Sequence, residues 1–140
     1  MSLGNRLELE FDVVILVCAI SAGIHAALVG DHFGEGVGAG MGFLAATVLL
    51  AIVVAGLSRR PVSRVALAAT CTVLAGLIAS YALAITTGLP VLHPEPESID
   101  GVALATKAIE ALGLIVALHL IGQGRPAAAS RLVHMKGAQA

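Results

Sequence analysis

Four long runs of apolar residues, separated by short polar or glycine- and proline-rich breaks, dominate the chain. The runs cover about residues 12–29, 41–57, 65–89 and 101–122. Each run is close to the ~20 residues that an α-helix needs to cross a hydrocarbon layer ~30 Å thick. The pattern therefore predicts an all-α integral membrane protein whose four helices pack as a bundle.

The breaks between these runs have the composition of turns and loops. Glycines recur through GDHFGEGVGAG, residues 30–40, too often for a stable helix in water, so we expect a flexible linker there. SRRPVSR holds Pro61 within a tight turn, and PVLHPEPESIDG combines three prolines with an acidic cluster. We expect a single four-helix domain over residues 1–125, followed by a solvated cytoplasmic tail over residues 126–140.

Composition strengthens the membrane interpretation. Hydrophobic residues make up 58% of the chain and charged residues 12%, and the mean hydropathy is +0.97, which is more apolar than soluble domains of this length. Eight basic against nine acidic residues supply no basic field for nucleic acid, so nucleic-acid binding is set aside. The partner that the sequence predicts is the lipid bilayer.

Lys and Arg are distributed unevenly between the breaks. The second break and the tail contain them, whereas the first and third breaks contain none. By the positive-inside rule, this bias predicts a multi-pass protein of the plasma membrane with both termini in the cytoplasm. The residues that set the bias are Arg59, Arg60 and Arg64 in the second break and Arg125, Arg131 and Lys136 in the tail.

Ionisable residues interrupt two of the apolar runs near the expected outer surface. Counting along the helices puts His25 roughly 7 to 8 Å, Lys107 roughly 9 Å and Glu110 roughly 13 Å below that surface. Because a charge near the bilayer centre is costly, we expect Glu110 to face the bundle interior, to be paired or to be protonated, with Lys107 as its first partner. Alternatively, Lys107 snorkels to the interface, and His25 is then the best candidate for the partner of Glu110. His119 lies near the cytoplasmic end and belongs to a different environment.

Imidazole and carboxylate groups also recur at helical spacing in this region. His25 and His32 are seven residues apart, and His32 and Glu35 are three apart, so a continuous helix would align them on one face. Metal sites in helix bundles take Glu and His ligands from facing helices. The metal hypothesis is a divalent ion, zinc, copper, iron or manganese, held by a subset of His25, His32, Glu35 and Glu110.

A structural interpretation explains the same residues. His25 and Glu110 would hydrogen-bond each other or backbone carbonyls to hold two helices together. Glu110 shares a stripe of the fourth run with Thr106, Gly113 and Ala117, which is the face best suited to helix contact. In this interpretation the imidazole and carboxylate groups of residues 32–35 are solvated.

Further polar candidates at the outer mouth come from the HPEPE stretch, although a solvated acidic turn explains them about as well. They are His93, Glu95 and Glu97. Haem is not expected, because the second and third runs contain no His, and His25 and His119 lie near opposite boundaries.

Three stretches, IHAALVGDHFGEG, GMGFLAAT and TTGLPVLHPEPESIDGVALATKAIEALGL, resemble small four-helix membrane proteins that are widespread in actinobacteria. The resemblance covers most of the chain, and it implies the fold and the membrane location but no particular activity. It also implies that the polar residues form one feature. The residues that carry it are His25, His32, Phe33 and Glu35, Gly88, Leu89 and Pro90, and Glu110.

Three classes of function follow from these observations. The first is a protein that binds or handles a divalent metal ion at an outward-facing His/Glu site. The second is a membrane enzyme or proton-linked carrier in which Glu110 exchanges protons with the outside. The sequence assigns no catalytic residue to such an enzyme. The third is an accessory subunit of a larger membrane complex, or a homo-oligomer, in which the polar residues serve packing.

Overall fold

The computed structural model describes residues 3–59, 63–90 and 96–123. Within these residues the chain forms four helices and packs them together, so the predicted all-α four-helix bundle is confirmed. Arg60, Pro61 and the predicted tail lie outside the described residues. The helices are α1 (Leu3–Glu35), α2 (Val37–Leu57), α3 (Arg64–Thr86) and α4 (Gly101–Gln123).

The largest difference from the sequence expectation lies at residues 30–40. α1 continues through Gly30 and Gly34, α2 begins at Val37, and Gly36 is the single non-helical residue within this fully described stretch. The expected flexible linker is therefore replaced by two helix ends. The physical reason is the solvent: away from water, backbone groups have few partners outside the helix, so glycine weakens a helix less than it does in water.

The four helices form a closed ring. α1 packs against α2 and α4, and α3 completes the ring by packing against the same two helices. The bundle has two ends, which we name by their contents. The proximal end holds the start of α1 and the end of α4, and the distal end holds the α1–α2 junction and residues 87–90 and 96–100.

The centre of the bundle is a dry apolar core to which every helix contributes. Close approach of α4 to its neighbours depends on Gly113, because a Cβ there would lie 2.5 Å from Val17 Cγ1 and 3.3 Å from Leu74 Cδ1. The predicted contact stripe of α4 is correspondingly buried. The fully buried side chains of the apolar core are Val14, Cys18, Leu50, Leu57, Leu74 and Ala117.

The outer surface of the bundle is apolar as well. In the most apolar 18-residue window of each helix, no more than 28% of the residues are buried, and all four helices are long and apolar enough to cross a membrane. Large side chains such as Leu16, Ile52, Val65 and Ile115 are 59% to 78% exposed. An apolar surface of this extent requires lipid as its solvent, so the protein is a multi-pass membrane protein. The orientation of its termini stays a prediction.

The described residues between α3 and α4, 87–90 and 96–100, are tied to both helices at the distal end. Gly88 adopts a φ of 70°, which turns the chain away from α3. The Glu97 N–H donates to the Ala84 carbonyl at 3.0 Å, and the Ala103 N–H donates to Asp100 Oδ1 at 2.9 Å, which caps the first turn of α4. These bonds place Glu97 and Asp100 at the distal end of the bundle.

Candidate functional site

A buried carboxylate network links α1 and α4. Glu110 is completely buried, and both of its oxygens have partners. The Ser21 hydroxyl donates to Oε1 at 2.7 Å, and the Lys107 ammonium donates to Oε2 at 2.7 Å. The predicted pairing of Glu110 with Lys107 in the bundle interior is confirmed, and it follows from their three-residue spacing on α4.

The His25 imidazole faces the same carboxylate from α1. Its Nδ1–H donates to the Ser21 carbonyl at 2.9 Å, which fixes the ring and leaves Nε2 pointing at Glu110 Oε1, 4.0 Å away. That distance is too long for a hydrogen bond. The buried pair of His25 and Glu110 that the sequence predicted is present, without a direct hydrogen bond between the two groups.

Ser21 is the member of this network that sequence reasoning missed. It is completely buried, and it serves His25 through its carbonyl and Glu110 through its hydroxyl. The signal was its position four residues before His25, on the same helical face of an otherwise apolar run. Ser in a transmembrane helix commonly hydrogen-bonds across to a neighbouring helix.

The structure separates the four proposed metal ligands into two pairs. Since α1 is continuous, His32 lies one turn before Glu35, and His32 Nε2 is 3.9 Å from Glu35 Oε2. The Phe43 ring of α2 stacks on His32 with 3.6 Å between ring centroids and lies 5.5 Å from His25. Within the described residues no group of three or more His, Cys, Asp or Glu side chains could hold a metal ion.

Only one of the further polar candidates from the HPEPE stretch is described by the structure. His93 and Glu95 lie outside the described residues, whereas Glu97 is half-buried at the distal end. Tyr81 of α3 was not predicted, yet its ring lies 5.7 Å from the Lys107 ammonium. Its hydroxyl is buried and has no hydrogen-bond partner among the residues that the structure describes.

A cavity of about 360 Å³ occupies the distal half of the bundle. Its volume corresponds to about a dozen water molecules, and most of its wall is apolar. His25, His32, Tyr81 and Lys107 contribute polar groups to the wall, while Glu97 and Asp100 belong to the segment at its rim. Glu110 lies behind Lys107, so the ammonium separates the buried carboxylate from the cavity.

The proximal half of the bundle contains a separate polar group. His119 Nε2 lies 3.8 Å from Glu10 Oε2 and 2.6 Å from Gln123 Nε2, which agrees with the expectation that His119 has an environment of its own. Between this group and Ser21 the interior is lined by Val14, Cys18 and other buried apolar side chains.

Fold and site together define a multi-pass membrane protein with a buried ionisable network beneath a cavity. No protein-family model, curated protein or solved structure matches the chain. The four helices and the four candidate spans that the resemblance implied are present, and no family is identified. Its function has to be argued from the geometry of the site.

Proposed function

We propose that the protein binds a small organic molecule in the bundle cavity and that binding is coupled to proton uptake at Glu110. One observation carries this proposal: Lys107, the cation that neutralises Glu110, also lines the cavity. A ligand that draws the ammonium towards the cavity therefore weakens its pairing with the buried carboxylate.

The coupling follows from the burial of Glu110. A carboxylate with no exposed surface is strongly destabilised when its counter-ion is withdrawn, and uptake of a proton removes that penalty. Ser21 and His25 would stay in place as hydrogen-bonding groups around the protonated carboxyl. Ligand binding at Lys107 and protonation at Glu110 would then favour each other.

The apolar core supports a binding role for this site. Ser21 and Glu10 are eleven positions apart on α1, or about 16 Å along the helix, and buried apolar side chains fill the space between their levels. A ligand in the cavity is in contact with the distal side alone. The site is thus suited to holding a molecule at one membrane face.

Filling the cavity tests the proposal. Ala103 is half-buried in the cavity wall, and Ala105 on the same helix is exposed, so Ala103→Phe blocks the cavity and Ala105→Phe is the matched control. Solvent extracts of the purified proteins are compared by mass spectrometry. We expect a small molecule to accompany the wild type and Ala105→Phe but not Ala103→Phe. Identical extracts from all three proteins would count against cavity binding.

A divalent metal ion is the second candidate, because His25 has the arrangement of a metal ligand. Its Nδ1–H is held by a backbone carbonyl and its Nε2 is directed at a carboxylate, as is common for metal-bound imidazoles. The Lys107 ammonium already occupies Oε2 of Glu110, so a metal ion would have to compete with it. His32 and Glu35 would add ligands only after a rearrangement.

Elemental analysis of protein purified without a metal-binding tag decides this candidate. After supplementation with zinc, copper, iron and manganese, it predicts about one metal ion per chain. Metal should be lost in His25→Ala and Glu110→Gln and increased in Lys107→Met, which removes the competing ammonium. Metal-free wild-type protein would eliminate the candidate.

A further inference from the structure

We infer that the cavity ligand is a monocarboxylic acid with an apolar body, bound as its carboxylate by Lys107 while its proton passes to the His25–Glu110 pair. This inference rests on the proposed function and names its ligand class. It draws on the donors of Lys107, the composition of the cavity wall, the charges at the rim and the proton balance.

The donors of Lys107 favour an anionic group. An ammonium has three N–H donors, and Glu110 accepts one of them at 2.7 Å. Among the described residues, the one other partner of the ammonium is the Tyr81 ring at 5.7 Å. A neutral carbonyl would accept one of the remaining N–H groups and leave the ion pair with Glu110 intact, whereas a carboxylate forms a charge-assisted bond of the same kind and places a second negative charge beside the one ammonium. Only the anion therefore competes with Glu110 for the positive charge of Lys107.

The rest of the cavity favours an apolar body. Leu28, Phe43, Ala46, Leu77 and Val102 contribute apolar wall from all four helices. The volume of about 360 Å³, equal to about a dozen water molecules, has room for an acid with about ten non-hydrogen atoms. Among the described residues, Lys107 is the one Lys or Arg side chain that lines the cavity. Its single positive charge can neutralise one acidic group of a ligand.

The rim determines the form in which the ligand enters. Glu97 and Asp100 line the cavity from the segment 96–100, and their carboxylates repel an approaching anion. The neutral acid is not repelled, and it carries with it the proton that the site requires. Among the described residues, His25, His32 and Tyr81 are the remaining titratable groups on the wall, and His25 faces Glu110 directly.

Atoms and charge balance in the binding step. The O–H bond of the ligand breaks, and its proton passes to the His25–Glu110 pair, whose facing atoms Nε2 and Oε1 are 4.0 Å apart. The Lys107 N–H bond to Glu110 is exchanged for one to the ligand carboxylate. Before the step the site holds one ammonium and one carboxylate beside a neutral acid. After the step it holds one ammonium and the ligand carboxylate beside a protonated pair.

The test compares three probes with the same apolar body: octanoic acid, octanamide and octylamine. Binding to purified protein is measured by isothermal titration calorimetry with Ala103→Phe as the blocked reference and Ala105→Phe as the matched control. We expect saturable binding of octanoic acid alone, to the wild type and to Ala105→Phe. Because one proton is bound with each acid anion, its affinity should fall by about tenfold for each pH unit between about pH 6 and about pH 8.

Glu110→Gln separates the proton step from binding itself. Gln keeps a carbonyl oxygen for Ser21 but takes up no proton, and it leaves the ammonium with a full charge for the ligand. We expect this variant to bind octanoate with about the same affinity at about pH 6 and about pH 8. Near pH 8 its affinity for octanoate should be higher than that of the wild type.

The outcomes distinguish the ligand class from the proposed function. Preferential binding of octanamide or octylamine in the unblocked cavity, or pH-independent binding of octanoic acid to the wild type, would overturn the carboxylic acid and leave cavity binding standing. If none of the probes binds and Ala103→Phe also yields the same extracts as the wild type, the proposed function is overturned with it.

Discussion

Removing the Lys107 ammonium should expose how strongly the protein depends on the neutralisation of Glu110. Glu110 has no exposed surface and the Lys107 side chain is 16% exposed, so water compensates little when the pair is broken. Breaking a buried ion pair by removing one partner costs about 3–5 kcal/mol. Since the Ser21 hydroxyl still donates to Oε1, we expect Lys107→Met to lower the free energy of unfolding by about 3 kcal/mol at neutral pH.

The loss should depend on pH in a defined direction. In Lys107→Met the lone carboxyl avoids the penalty by holding a proton in the folded state, and it releases that proton when unfolding exposes it. The folded state then binds more protons than the unfolded state, so stability falls as pH rises. The slope is about 1.4 kcal/mol per pH unit for one proton. Lowering the pH from about 7 to about 5 should therefore recover most of the stability.

The assay is equilibrium unfolding in mixed detergent micelles, followed by circular dichroism. The control is the double variant Lys107→Met with Glu110→Gln, which removes both charges and should return to within about 1 kcal/mol of the wild type. Glu110→Gln alone should cost less than Lys107→Met, because the unpaired ammonium can turn into the cavity. A loss below about 1 kcal/mol, with no pH dependence, would refute the account of Glu110 as a buried carboxylate held ionised by Lys107.

Three further substitutions, together with one matched control substitution, test the packing and hydrogen bonding around the site by the same unfolding measurement. Ser21→Ala removes a donor to a buried carboxylate and should cost about 1.5–3 kcal/mol; an unchanged midpoint would show that the hydrogen bond to Glu110 contributes nothing. Gly113→Ala introduces a Cβ that meets neighbouring side chains, so it should lower the free energy of unfolding by about 1–3 kcal/mol. Gly76 has open space around it, so Gly76→Ala should leave the free energy of unfolding unchanged. Equal effects of the two substitutions would contradict the close approach of α4. Tyr81→Phe removes a buried hydroxyl without a partner and should leave stability unchanged or raise it by about 1 kcal/mol; a loss would reveal a partner for that hydroxyl.

The parts of the fold and site that depend on local spacing were predictable from the sequence. Each apolar run is long enough to cross a bilayer, and in lipid a run of that length has few alternatives to a helix. Lys107 and Glu110 belong to one helix, so their three-residue spacing was enough to predict contact. The burial of Glu110 followed from the cost of exposing a carboxylate to lipid.

The parts that depend on how helices face each other were not predictable. Ser21 donates across to Glu110 because of the rotation of α1 against α4, which no residue spacing within one helix determines. His32 lies beside Glu35 because α1 continues through Gly34, and it lies beside Phe43 because of the way α2 packs against α1. The helical conformation of residues 30–40 was not predicted for a different reason. The expectation of a linker used the free-energy cost that glycine has in a helix in water, and this cost is smaller away from water.

The position of the network in the bundle bears on which class of function the chain can perform alone. The carboxylate network lies beside a cavity in the distal half of the bundle, and the buried side chains of Leu50, Leu57 and Leu74 fill the interior on its other side. Passage of a ligand to the proximal end would require this dry core to separate, with the loss of well-packed apolar contacts from at least three helices. Proton exchange at Glu110 does not require such a change, because the ligand that arrives from the distal side brings the proton with it. The geometry therefore favours reversible capture at one membrane face over transport across it by a single copy of the chain.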